Sequence, residues 1–153
     1  MKLVLMFTFA LLLLPALVGS AAASVAVALP AASIAPLAGV PEGGYPDAFP
    51  FGECTWWAAY NHRVTWSGDA KDWLANARAQ AVRTSDVPSV GAIAVYRPGG
   101  AYSAYGHVAI VIAVEPTSYW VSDMHAPHWG VVSTRVIAWP DPNVQGFIAP
   151  EAH

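Results

Sequence analysis

HVAIVIAVEPTSYWVSD, residues 107–123, decides how the chain folds. From His107 to Val114 the residues are apolar and mostly β-branched, and none is acidic or basic apart from the opening histidine. Such residues fit a pleated, buried surface. A short apolar run bounded by turn signals reads as a strand covered on both faces. Glu115-Pro116-Thr117-Ser118 turns the chain, and Tyr119–Asp123 returns. Strands joined by so short a turn pair antiparallel.

The neighbouring segments extend the pattern. AIAVY (92–96) is a strand, and RPGGAYSAYG (97–106) is a glycine-rich loop. HAPHWG (125–130) is a second loop, VVSTRVIAW (131–139) a strand, and GFI (146–148) a last strand. Upstream the period changes. GECTWWAAYNHR predicts a helix beginning near Cys54, with Gly52 supplying a turn conformation. SGDAKDWLANARAQAV (67–82) predicts a second helix, with Asp69 as N-cap and Asp72 in its first turn. Helices followed by strands on short turns indicate an α+β domain: N-terminal helices packed on an antiparallel sheet. There is no internal repeat.

The apolar excess lies elsewhere. Hydrophobic residues make up 56% of the 153 and charged residues 11%, and no charge occurs between Lys2 and Glu42. One lysine, an apolar block from Leu3 to Leu14, Pro15 and then small residues form the order of a secretory signal. Residues 1–23 are expected to be that signal. The alternative is an uncleaved anchor, although Leu3 to Val18 falls short of the roughly 20 residues that span a bilayer. Residues 24–44, rich in Ala, Pro and Gly, read as an extended linker. Residues 45–150 form the domain, expected to act as a monomer outside the cell, secreted or associated with the wall or periplasm.

Without Lys2 the chain has six basic and ten acidic residues and no basic run. This argues against nucleic acid as a partner and against capture by anionic lipid. Any membrane contact would come through an uncleaved N-terminus. A single cysteine excludes an internal disulfide, so packing alone must hold the domain.

That cysteine is also the first candidate for chemistry. A thiolate is favoured in the first turn of a helix, where unpaired N–H groups and the dipole attract negative charge. Cys54 occupies such a turn. Its proton needs a partner that titrates near neutral pH, and His107, directly after Gly106, opens the long strand. The imidazole in turn needs an orienting group. A turn centred on residue 115 sets Asp123 opposite His107, whereas one centred on 116 sets His125 there. Both have the same parity and face the same way on a regular strand. Asp123 is the better orienter, because a carboxylate accepts the ring N–H and stabilises the charged ring. A second set, Asp123, His125 and His128 with His107 nearby, could hold zinc with an open position for water. Its spacing matches no zinc motif, and it leaves Cys54 without a role.

Four stretches together resemble the CHAP domain, the cysteine, histidine-dependent amidohydrolase/peptidase domain of cell-wall hydrolases. They are FGECTWWAAY, GDAKDWLANARA, VGAIAVYRPGGAYSAYGHVAIV and VSDMHAPHWGVVSTRVI, in the family's order. The resemblance implies a papain-like architecture, Cys54 as nucleophile and His107 as base and acid. The family's third group is commonly Glu in a Ser-Glu-Met-Asn stretch. Here the stretch reads SDMH, with Asp123 for the Glu and His125 for the Asn. The expected substrate is peptidoglycan, cut at the N-acetylmuramoyl–L-alanine amide or at a peptide bond. Trp56, Tyr105, His125 and Trp129 are the candidate substrate contacts. Neither a cofactor nor a metal, calcium included, is expected. A non-catalytic wall-binding or scaffolding module on the same fold is the alternative.

Overall fold

The structure is a computed structural model and describes residues 27–28 and 36–150. The expected export signal, residues 1–23, lies outside the described residues. Among the described residues seven strands form one antiparallel sheet: β1 Val27–Ala28, β2 Thr84–Ser85, β3 Ile93–Tyr96, β4 His107–Glu115, β5 Ser118–Met124, β6 Val132–Ala138 and β7 Val144–Ile148. Their order across the sheet is β1-β6-β5-β4-β3-β7-β2. The helices α1 Cys54–Asn61 and α2 Trp73–Ala79 precede the main strands, the latter entered through a 3₁₀ turn at Ala70–Asp72. This is the expected α+β arrangement of helices on an antiparallel sheet.

Strand alternation divides the core into two sides. Ile93, Val95, Val108 and Ile110 pack with Cys54 and Ala58 of α1 and Trp73 and Leu74 of α2. Ala94, Tyr96, Ala109 and Val111 point the other way and pack with Tyr119, Val121 and Phe147. The 107–123 stretch forms a hairpin with Glu115 opposite Ser118. Its register shifts between Val111 and Ala113, where Ile112 is an extra residue on β4. Beyond this bulge Val111 faces Val121 and Ile110 faces Ser122. A bulge of one residue exchanges the faces of everything beyond it. Ser122 and Met124 therefore turn towards α1. Ser122 Oγ accepts from the Trp57 indole N–H at 3.0 Å, and Met124 packs on the same ring. Asp123 turns to the opposite face, the one occupied by Val121.

The second helix is shorter than SGDAKDWLANARAQAV predicts. It ends where Ala81 adopts φ +60 and the Ala81 and Val82 amides bond back to Arg78 and Ala77. That is the left-handed C-terminal turn usually built on glycine. Part of the expected linker, residues 24–44, touches the domain. β1 pairs with β6, Leu37 packs against the core, and its amide donates to Asn61 Oδ1 at 2.7 Å.

Candidate active site

A cleft of about 620 Å³ runs across the start of α1 and the ends of β4 and β5. Its lining includes Glu53, Cys54, Tyr102, Tyr105, His107 and His125. A slightly larger depression, about 660 Å³, lies beyond Phe49 around Asp47, Trp66 and Gln80. Its lining has neither cysteine nor histidine, so the candidate chemistry belongs to the first.

Cys54 is the first residue of α1 and is buried. The first intrahelical bond runs from the Trp57 N–H to the Glu53 carbonyl. The amides of Cys54, Thr55 and Trp56 therefore precede the helical ladder and have no partner within it. Gly52 approaches the neighbouring loop with φ +98, and a Cβ there would come within 2.3 Å of the Trp129 ring. Only glycine permits this entry to the helix.

His107 opens β4 and is buried. Gly106, before it, has φ +74, and a Cβ would stand 2.7 Å from the Tyr96 carbonyl oxygen. The His107 ring stacks on Tyr102 with centroids 5.0 Å apart and planes 9° apart. Its Nε2 lies 3.0 Å from Asp123 Oδ2. That leaves Nδ1 as the ring nitrogen free to exchange a proton with Cys54. Burial opposes a charged ring, but the Asp123 hydrogen bond, then Cys54 and the Asp123 charge, outweigh it and push the His107 pKa up to about 9.

Asp123 is fully buried and fully satisfied. Ser133 donates to Oδ1 at 2.7 Å, and Arg135 donates to Oδ2 through Nε at 3.0 Å and through Nη2. Burial raises the carboxyl pKa, but the hydrogen bond and charge of His107, with Arg135, bring it below its ordinary value. The strand pairing explains the cage, because Asp123 is paired with Ser133 and Val121 with Arg135 on adjacent strands.

His125 does not reach His107. β5 ends at Met124, and His125 takes φ +63, which turns its side chain out of the strand. Its Nδ1 meets Glu53 Oε2 at 2.9 Å, and the Trp129 indole N–H donates to Glu53 Oε1 at 3.2 Å. Glu53, directly before Cys54, thus ties the 125–130 loop to the start of α1. The zinc set is not assembled: Asp123 faces His107, Ser133 and Arg135, and His125 faces Glu53. Among the described residues no group of three such donors is placed to hold a metal ion.

Of the expected substrate contacts, Tyr105 and His125 line the cleft, and Tyr105 is 65% exposed. Trp56 and Trp129 are outside its lining. Trp56 stacks on Tyr60 at 4.9 Å and meets the Phe51 ring edge at 4.8 Å. Trp129 is exposed beside Glu53. Sequence reasoning missed Glu53, Ser133 and Arg135 as parts of the site. The one signal for the last two was their two-residue spacing, which puts both on one face of β6.

A family model described as the CHAP domain matches residues 44–125. That span contains Cys54, His107 and Asp123 and stops before Ser133 and Arg135. A crystal structure of an N-acetylmuramoyl-L-alanine amidase from Staphylococcus aureus is similar at TM-score 0.58 and 28% identity, covering 69% of this chain and 33% of that one. The chain thus spans about a third of that protein's length. With more than half of its residues inside the family match and the helix-on-sheet fold alongside it, the chain belongs to the CHAP domain family.

Proposed function

We propose that the protein is a peptidoglycan hydrolase that cuts an amide bond by a thiol mechanism. One observation carries this reading: the buried His107–Asp123 pair stands beside the only cysteine in the chain, at the start of a helix and on an open cleft. Family membership supports the substrate class, and so does the likeness to a staphylococcal amidase.

The chemistry follows from the charges. With its pKa raised to about 9, His107 holds at neutral pH a proton that it can give to the leaving amine. The Cys54 thiolate attacks the amide carbonyl carbon. The resulting oxyanion is held by the free amides at the start of α1, that of Cys54 first. His107 Nδ1 delivers its proton to the leaving amine, the C–N bond breaks, and a thioester remains. His107 then takes a proton from water as the water attacks the thioester, releasing the acid and restoring the thiolate. Asp123 holds the ring through Nε2 and stabilises its charged form. Tyr105 and His125 contact the substrate in the cleft, and Trp56 and Trp129 stand beyond its rim. Residues 1–23 direct export, which brings the domain to the wall.

The bond is the N-acetylmuramoyl–L-alanine amide or a peptide bond of the stem or cross-bridge. Incubating the protein and its Cys54→Ala variant with purified peptidoglycan, and identifying new ends by mass spectrometry, tests the reading. New amino ends from the parent alone support it, and their identity tells amidase from endopeptidase. Activity that survives Cys54→Ala but vanishes with a chelator sinks the thiol mechanism. Wall binding with no new ends from either protein makes it a scaffold.

A further inference from the structure

Arg135 stands behind the candidate pair, outside the family match, and the proposed mechanism gives it no part. Its guanidinium makes two contacts to Asp123 Oδ2, the same oxygen that receives His107 Nε2. It also lies 5.9 Å over the ring of Tyr102, which stacks on the His107 imidazole. Arg135, Asp123, His107 and Tyr102 thus close a ring of contacts. Two charged groups stand around the imidazole, Asp123 of β5 and Arg135 of β6, with the Cys54 side chain of α1 beside them. Tyr96 and Tyr102 complete its surroundings.

We propose that Arg135 is a positioning residue that sets the proton affinity of His107 through Asp123. It does so by taking a share of Asp123 Oδ2 and by placing a second positive charge beside the imidazolium. Both effects weaken the hold of the His107–Asp123 pair on its proton. A general acid must release that proton to the leaving amine, and one that binds it too tightly transfers it slowly. Arg135 also keeps the buried carboxylate ionised and locks its rotamer together with Ser133. This inference deepens the thiol-hydrolase reading and rests on it for its kinetic consequence. The proton affinity itself can be read without substrate.

The test uses the full chain. Because Cys54 is the only cysteine, iodoacetamide uptake reports on it alone. The alkylation rate changes as the neighbouring imidazole loses its proton, so the upper inflection of its pH profile reads His107. An NMR titration of the His107 ring gives the same quantity directly. Arg135→Gln should raise the upper inflection by about one pH unit, a roughly tenfold gain in proton affinity. Arg135→Met, which keeps an apolar stem on Tyr102, should do the same. Arg135→Lys keeps the charge and should leave the inflection in place. Peptidoglycan turnover should fall in the charge-free variants and partly recover in Arg135→Lys. An inflection that stays or drops in the charge-free variants overturns the proposal. So does failure of both to fold, which assigns Arg135 to stability alone. A parent protein without peptidoglycan activity refutes the hydrolase reading and leaves the alkylation result to decide this one.

Discussion

His107 and Asp123 meet diagonally across two strands, Nε2 to Oδ2 at 3.0 Å, and are not directly opposite. Carried on from Ile110–Ser122, the ladder would set Ala109 against Asp123 and His107 against His125. Asp123 reaches the imidazole because its side chain lies on the same face, and His125 is excluded because it leaves the strand. Asp123→Asn keeps the shape but loses the charge and favours the wrong ring tautomer. It should lower kcat/KM by about 10²- to 10⁴-fold, measured as released peptidoglycan ends. It should also cost about 2–3 kcal/mol of stability by chemical denaturation, less than for a fully buried pair because the Arg135 side chain keeps 23% exposure.

Asp123→Glu brings in the residue more common in the family, yet it should not improve this protein. The carboxylate is fully buried with both oxygens engaged, so an added methylene must push against Ser133, Arg135 or His107. Overpacking of this kind costs about 1–3 kcal/mol. A lower melting temperature together with reduced turnover is expected. Unchanged stability with higher turnover would show that the cage is looser than its contacts imply.

Gly106→Ala should damage both stability and activity. The left-handed backbone conformation costs a side chain about 1–2 kcal/mol. The new Cβ would also stand 2.7 Å from the Tyr96 carbonyl and 3.0 Å from Lys71. Relief of that clash must move the backbone next to His107, so kcat should fall further than loss of folded protein explains. Thermal melting and active-site alkylation on the same sample separate the two effects.

Ala81→Gly should stabilise. Ala81 holds φ +60 in the turn that ends α2, a place where glycine is preferred. Relief of strain outweighs the extra chain entropy of glycine by about 0.5–1 kcal/mol. A rise of a few degrees in melting temperature with unchanged turnover is the expected result.

Stability should fall as pH rises from neutral to alkaline. His107 is raised from 6.5 to about 9 on folding, so its contribution is complete below about 6.5 and disappears as pH climbs through 9. The whole contribution is about 3 kcal/mol. Asp123 is lowered on folding, so its part is present above 3.8 and is lost as pH drops through its folded value. Melting temperatures across pH should therefore peak between these limits. In Asp123→Asn the alkaline decline should flatten, and an equally steep decline would mean another group causes it.

The order and type of the two helices and of β3 to β7 were legible in the sequence, whereas the two-residue strands β1 and β2 were not. β-branched runs, glycine-bearing turns and the change of period around 84–92 each have a local cause. Cys54, His107 and Asp123 could be named as candidates from the sequence, since few residue types can serve as nucleophile, base and orienter, and the structure sets His107 and Asp123 3.0 Å apart. Partners fixed by register were not. Ser133 and Arg135 meet Asp123 through the pairing of β5 with β6, which no local pattern encodes. The early end of α2 also escaped, because Ala81 takes a conformation that normally advertises itself with glycine. Trp56 and Trp129 illustrate a further limit: the same indole suits a stack beside Tyr60, an exposed rim or a substrate groove.

The extra residue at Ile112 has a consequence for how this hairpin can change length. Pro116 and Thr117 lie between the paired ends Glu115 and Ser118, so insertions there lengthen a loop and leave the cleft untouched. A single deletion or insertion within one of the paired strands, at 112–115 or at 118–122, is different. It would swing Asp123 to the α1 side and bring Ser122 or Met124 towards the imidazole. Length variants of this hairpin that keep their activity should therefore place new residues at the tip, or change both strands together.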